Sequence, residues 1–152
     1  MSGTRLTPKQ VLDLVPQQDP FRFIDDIIEL DDDHIVGVCR FRPDADFYRG
    51  HFPGNPVTPG VILIESLAQV AVVAQGIYLL AREIESDTAK IMTLFTDADI
   101  EFSGIVKPGD RVTITAEKIF FRRRKLRSKA EMKLDDGTVV CSGTVSGMGI
   151  FK

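Results

Sequence analysis

From Thr58 to Leu80 the chain reads TPGVILIESLAQVAVVAQGIYLL, a run apolar on nearly every side. A helix with one apolar stripe lies on a core, whereas one with no polar face has to be wrapped. Thr58 is placed to cap this helix and Pro59 suits its first turn. The expected helix runs from Thr58 to Glu83 or Glu85, about 36 Å at 1.5 Å per residue. Whatever else the chain forms must enclose it.

The remaining segments have the pattern to do so. FRFIDDIIEL and HIVGVCRFR flank the polar turn Asp31-Asp32-Asp33 and read as a hairpin. RVTITAEKIFF sets Val112, Ile114 and Ala116 against Arg111, Thr113, Thr115 and Glu117. RSKAEMKL sets Ala130, Met132 and Leu134 against Lys129, Glu131 and Lys133. Such alternation belongs to an antiparallel sheet with one buried face. IMTLFTDADIEFSGIV gives one long strand or two, KPGD and DDG are turns, and TVVCSGTVSGMGI is a last strand relieved by glycine. A short helix starts after Thr7 with Pro8 at its first position. The expected fold is α+β, a curved antiparallel sheet around one long helix, in a single domain over residues 1–152.

Charge and cysteine usage narrow the function. A net charge of −3 gives no field for nucleic acid. MSGTRLTPKQ has no apolar signal core. The uncharged run Ser66–Ala81 contains Gln69 and Gln75, too short and polar to read as a membrane span. Cys39 and Cys141 could pair, but read as two reduced, half-buried thiols, which places the protein in the cytoplasm. No Cys and His spacing suits a metal.

The chemistry is concentrated in HFPGNPVTPG and the helix that follows. Pro53, Pro56 and Pro59 stiffen the passage from His51 to the helix start. PDADFYRGHFPGNPVTPG is expected to have no regular structure. Val61, Glu65 and Gln69 stack on one helix face, so Gln69 can bond the Glu65 carboxyl. No Lys or Arg occurs between His51 and Arg82, so a buried Glu65 would tend to keep its proton. Glu65 therefore lines a cavity, enters a subunit interface or bonds a distant partner; the plain alternative is an acid snorkelling near the helix start. A lone loop His is more often structural than catalytic, yet the helix start, with the N–H of Gly60, adds an oxyanion site. Together base, acid and oxyanion site suit proton abstraction beside a carbonyl and loss of a β-leaving group. His34, in the hairpin, reads as exposed and structural.

GHFPGNPVTPGVILIESLAQ closely resembles the signature of the 3-hydroxyacyl-[acyl-carrier-protein] dehydratases: G-H-F-P-x-x-P-x-x-P-G-V, an acid fourteen residues after the His, and a Gln four further on. VPQQDPFRFIDDI and the strand region DADIEFSGIVKPGDRVTITAEKIFFRRRKLRSKAEMKLDDGTVVCSG extend the resemblance over most of the chain. It implies a hotdog fold and subunits paired sheet to sheet, with the His from one and the acid from the other, commonly as trimers of dimers. It implies His51 as the base at C2, Glu65 as the acid at the 3-hydroxyl, Gly60 as N–H donor to the thioester oxygen, and Gln69 as the residue orienting the acid. The implied reaction is reversible syn-dehydration of a (3R)-3-hydroxyacyl thioester to the trans-2-enoyl thioester, delivered by acyl carrier protein, without metal or organic cofactor.

Two features modify that expectation. Gln17 stands where the family usually has His. Glu65, in place of Asp, favours the simple dehydratase over the related dehydratase/isomerase, although IEFSGIVKPGD is similar to the isomerase branch too. RRRKLRSK, with Arg122, Arg123, Arg124 and Lys125, is either a solvated strand face and turn or a docking surface for an acidic carrier. Tyr48, Phe52 and the strand at 91–106 are expected to set pocket depth. The competing functions are a hotdog thioesterase and a non-catalytic acyl-binding subunit; a secondary pathway such as polyene synthesis suits the lyase as well as fatty acid synthesis.

Overall fold

The computed structural model describes residues 3–83 and 91–151. Six strands, β1 (Asp26–Leu30), β2 (His34–Arg40), β3 (Ile91–Phe102), β4 (Arg111–Arg122), β5 (Lys125–Leu134) and β6 (Val139–Phe151), form one sheet in the order β1-β2-β4-β5-β6-β3. All neighbouring pairs are antiparallel. The segment read as one strand or two is the single strand β3. The first hairpin is shorter than its pattern suggested, because Phe21, Phe23 and Ile24 are held by Gln69 of the central helix instead. Helix α1 (Pro8–Leu14) begins as expected, with Thr7 and Gln10 closing a reciprocal capping box.

The central helix, Gly60–Glu83, is enclosed by this sheet. Its length and hydropathy would suffice to cross a bilayer, but it is a largely buried core helix. The alternative end at Glu85 lies outside the described residues. The helix is α-helical to Ala68, π-helical over Gln69–Ala74 and α-helical again from Gln75. Every residue of the π-helical turn is buried, as are Leu67, Ile77 and Leu80. Facing it from β4 and β5 are Val112, Ile114, Ala116, Ala130 and Met132, each at most 1% exposed. Register shifts interrupt the ladders at Ile27/Glu29, Phe95/Asp97, Lys118/Phe120 and Met132/Lys133. Each such bulge bends its strand and adds twist, which lets the sheet close over a cylinder.

Two glycines set how near the helix can come. A Cβ on Gly37 in β2 would stand 2.8 and 2.9 Å from the methyls of Val70. A Cβ on Gly147 in β6 would collide with Val72 Cγ1 and stand 3.0 Å from Leu94 O. The strand floor is thus lowered where the tightest helical side chains press on it.

Both thiols are free and fully buried, not half-buried, because both lie on the inner face of the sheet. Burial raises both, Cys141 to about 11. His34 is partly exposed, with Nδ1 2.7 Å from Asp31 Oδ2 and Nε2 3.5 Å from Glu29 Oε2. Its hydrogen bond to Asp31 raises its pKa. This is the structural role expected for it. Gly147→Ala should lower stability by about 1–3 kcal/mol, the usual cost of overpacking a filled core. A urea denaturation midpoint unchanged by the substitution would contradict this packing.

Candidate active site

The loop that leads to the central helix is more ordered than its Pro and Gly content suggested. One helical turn, α2 (Phe47–Gly50), forms within it and buries Tyr48. The Tyr48 hydroxyl lies 2.6 Å from Thr58 Oγ1, and the Thr58 N–H donates to Val106 O at 2.8 Å. Thr58 is therefore not the helix cap. Its hydroxyl is taken by Tyr48, and the capping position falls to Pro59, whose side chain cannot accept a hydrogen bond.

That displacement has a chemical consequence. The N–H groups of Ile62 and Leu63 turn back to Pro59 O at 3.0 and 3.2 Å. Among the described residues no backbone acceptor meets the N–H of Gly60 or Val61. A helix start with free N–H groups and no side-chain cap is suited to an oxyanion. Gly60 is needed here for space: a Cβ on it would stand 3.1 Å from Phe102 Cζ. Its backbone is open to a ligand, with the Phe102 ring as one wall.

His51 lies at the C-terminal end of α2, its ring stacked on Phe52 with centroids 4.2 Å apart. Its Nδ1 is 3.0 Å from Val57 O. A carbonyl oxygen can only accept, so Nδ1 carries the hydrogen and Nε2 of the neutral ring presents its lone pair. The Val57 N–H donates to His51 O at 3.0 Å, so the same two residues are tied through both ring and backbone. The stiff loop thus fixes the tautomer as well as the position of the imidazole.

Glu65 and Gln69 meet as their spacing predicts, with Gln69 Nε2 donating to Glu65 Oε1 at 3.0 Å. Gln69 is fully buried and has no further capacity. Its Nε2 also donates to Phe21 O at 2.9 Å, and its Oε1 accepts the N–H groups of Phe23 and Ile24 at 2.8 and 3.2 Å. Desolvation raises the Glu65 pKa, and the Gln69 bond acts against that rise. The carboxyl faces a cavity of about 140 Å³ walled by Gln17, Ala68, Val72, Val73, Thr93, Leu94 and Phe95. His51 is not among the residues lining it. A second cavity of about 360 Å³, walled by Phe21, Phe23, Phe41, Phe47 and Ile62 among others, includes neither His51 nor Glu65.

Of the expected site residues, the chain brings Glu65 to Gln69 and places His51 and Gly60 at the two ends of one stiff loop. Gln17, noted in the sequence only as a departure, proves to wall the Glu65 cavity. Phe102 and the Tyr48–Thr58 pair were not singled out for these contacts. The basic residues Arg122, Arg123 and Arg124 are exposed at the β4–β5 turn, where Arg122 lies 4.5 Å over the Phe120 ring and Lys125 pairs with Asp97 at 3.7 Å.

A long helix inside a curved antiparallel sheet is the hotdog arrangement, and solved structures share it. The backbone superposes on the dehydratase heterocomplex ApeI:P from Xenorhabdus doucetiae with a TM-score of 0.74 at 18% identity, covering 97% of this chain and 94% of that one. It superposes on a thioesterase from Haemophilus influenzae with a TM-score of 0.68 at 14% identity, covering 98% and 94%. A model of the FabA-like domain matches residues 15–144. The chain is 36% identical to the 3-hydroxyacyl-[acyl-carrier-protein] dehydratase FabZ of Caldicellulosiruptor bescii, over 88% of this chain and 91% of that protein. It is 34% identical to the FabZ of Bacillus pumilus, over 93% and 94%. The chain belongs to the FabA-like family, among the 3-hydroxyacyl-[acyl-carrier-protein] dehydratases.

The raised Glu65 pKa makes a stability prediction. Between the unfolded value of about 4.3 and the raised folded value, the native state binds more protons than the unfolded state. Stability contributed at this position therefore falls as pH rises through that window. Glu65→Gln should raise the denaturation midpoint at neutral pH and change it least below about pH 4. Equal effects at both pH values would show that the carboxyl is not held against its charged form.

Proposed function

We propose that His51 and Glu65 are the base and acid in the reversible dehydration of a (3R)-3-hydroxyacyl-[acyl-carrier-protein] to the trans-2-enoyl thioester. The observation that carries this reading is that one chain holds both a tautomer-fixed imidazole and a carboxyl biased towards its protonated form in a largely apolar cavity. His51 Nε2 takes the proton from C2. The electrons released move towards the thioester carbonyl, whose oxygen accepts from the Gly60 N–H. Glu65 donates its proton to the 3-hydroxyl, the C3–O bond breaks, and water leaves as the C2–C3 double bond forms. Gln69 holds the carboxyl through its single spare N–H. A thioesterase would instead need water placed for attack on the carbonyl carbon, and an acid aimed at a β-hydroxyl does not serve that step.

The site is shared between two copies of the chain in this reading. Its support is the edge of the sheet. Strand β3 ends the strand order, and Met92, Leu94, Phe95 and Phe102 on it are 36–48% exposed. An apolar unpaired edge invites a partner strand. Pairing two such edges covers these residues and brings one copy's loop towards the other's Glu65 cavity, which β3 walls. Trimers of such dimers, and action in the cytoplasm where buried thiols stay reduced, belong to the same proposal.

Mixing two inactive variants tests the shared site. His51→Ala and Glu65→Gln should each lower kcat by at least about 100-fold, the range expected for loss of a general acid or base. Refolded together, they should regain activity through mixed dimers holding one intact His51–Glu65 pair. No recovery in a mixture shown to contain mixed dimers would place both residues in one chain's site. Mass spectrometry of the products separates interconversion by one water from free acid.

The β4–β5 turn is proposed as the carrier-docking surface. Arg123 and Arg124 occupy its two central positions at φ of +51° and +62°. Asn and Gly are the residues that favour such turns, and the left-handed region costs other residues roughly 1–2 kcal/mol each. Two arginines at that cost suit a demand for their charge. Replacing Arg122, Arg123 and Arg124 by Glu should weaken turnover of carrier-bound substrate about tenfold or more, with little effect on a small pantetheine thioester. Equal losses on both would sink the docking role.

A further inference from the structure

The Glu65 cavity has few polar groups on its wall. Beside Glu65 these are Gln17 and Thr93; Ala68, Val72, Val73, Leu94 and Phe95 are apolar. The Thr93 methyl lies 3.3 Å from where a Gly147 Cβ would stand, so that side chain is turned in part towards β6. Two glutamines near the helix, Gln17 and Gln75, have a buried side-chain oxygen with no partner among the described residues, and of the two only Gln17 lines this cavity. Gln69 has both its oxygen and its nitrogen engaged, whereas Gln17 Oε1 is shielded from solvent and has no hydrogen-bond partner. The backbone that carries it is anchored: Gln17 follows buried Val15 and the rigid Pro16, and Gln18 Nε2 bonds Val15 O at 3.1 Å. An unsatisfied buried acceptor costs about 1–3 kcal/mol, so its persistence in a residue that lines the cavity points to an occupant that completes it.

The proposed reaction supplies such an occupant. The substrate's 3-hydroxyl accepts the Glu65 proton through its oxygen lone pair, but its own O–H also needs an acceptor. When the C3–O bond breaks, that oxygen becomes water with two O–H groups. One faces the carboxylate just formed on Glu65. The other would face an apolar wall unless a second acceptor stands beside the acid. Resting on the dehydratase reading, we infer that Gln17 is a substrate-binding residue whose carboxamide oxygen accepts from the 3-hydroxyl and then from the departing water. It moves no proton. It orients the hydroxyl so that the lone pair meets Glu65, and the stabilisation grows as positive charge develops on the leaving oxygen.

Steady-state kinetics of the full chain test this, using a 3-hydroxyacyl pantetheine thioester as substrate. The inhibition constant of the saturated acyl thioester of the same length, which lacks the hydroxyl, serves as the packing control. Gln17→Leu and Gln17→Met should each lower kcat by about tenfold with KM and the inhibition constant within about twofold of wild type. Gln17→His, whose neutral ring nitrogen can accept, should recover most of the loss. Wild-type kcat in both apolar variants overturns the inference, as does an equal weakening of the saturated thioester, which would mark Gln17 as packing only. If the wild-type protein itself fails to interconvert substrate and product, the dehydratase reading falls and this role falls with it. An active wild type with indifferent Gln17 variants removes this role alone.

Discussion

A helix without a polar face has to be enclosed, and the rest of this molecule follows from that demand. One flat sheet covers one side of a cylinder. Enclosure takes a sheet that curves, and the ladders are interrupted at four of their pairings to allow it. It also takes close approach, which Gly37 and Gly147 provide beneath Val70 and Val72. A side chain at either glycine would push the helix off the floor and open voids along its length, and a tightly packed core tolerates those poorly. The π-helical turn falls in this same stretch, where Gln69–Ala74 are all buried.

Into this apolar cylinder the sequence inserts two polar residues on one face, and their fates differ. Gln69 is satisfied completely, and its partners at Phe21, Phe23 and Ile24 pull the segment before β1 onto the helix. It ties the fold together and leaves one N–H to hold the acid. Among the described residues Glu65 receives that one bond and no cation, so burial outweighs hydrogen bonding and its pKa rises. In the proposed mechanism the acid is thereby kept ready to donate, at the expense of folding stability at neutral pH. Strain of this kind at a functional carboxyl is a common relation between stability and activity.

Features set by local periodicity were legible in the sequence. The helix, the inward positions Val112, Ile114 and Ala116 and the Glu65–Gln69 pair follow from periodic spacing, and the start of α1 from Thr7 and Pro8. The His51–Pro–Gly loop and its family signature were legible as well. Features set by partners far along the chain were not. Thr58 looked like a cap because its position suits one, but Tyr48 claims its hydroxyl from another element. The chain before β1 reads as part of a strand, yet Gln69, more than forty residues away, takes backbone groups of Phe21, Phe23 and Ile24. α2 was hidden because Pro and Gly content describes the loop as a whole and not its four residues Phe47–Gly50. The place of Gln17 on the Glu65 cavity depends on how the segment after α1 packs on the central helix, which no local pattern encodes.

In the proposed dimer, the position of the acid would link catalysis to assembly. Glu65 cannot be buried further by its own chain, because Thr93, Leu94 and Phe95 on its cavity wall come from β3, the strand that ends the sheet. The apolar surroundings that hold the carboxyl protonated are thus half built from an edge left open to solvent. In the proposed pairing, a second copy over that edge would remove water from the same wall, deepen the desolvation of Glu65 and supply an imidazole from outside the chain. A monomer would carry the acid in a shallower and wetter cavity, with a pKa nearer its ordinary value and no base on the cavity wall. Pairing at β3, as proposed, would therefore act on the chemistry through the dielectric around one carboxyl, in addition to any stability it lent the sheet.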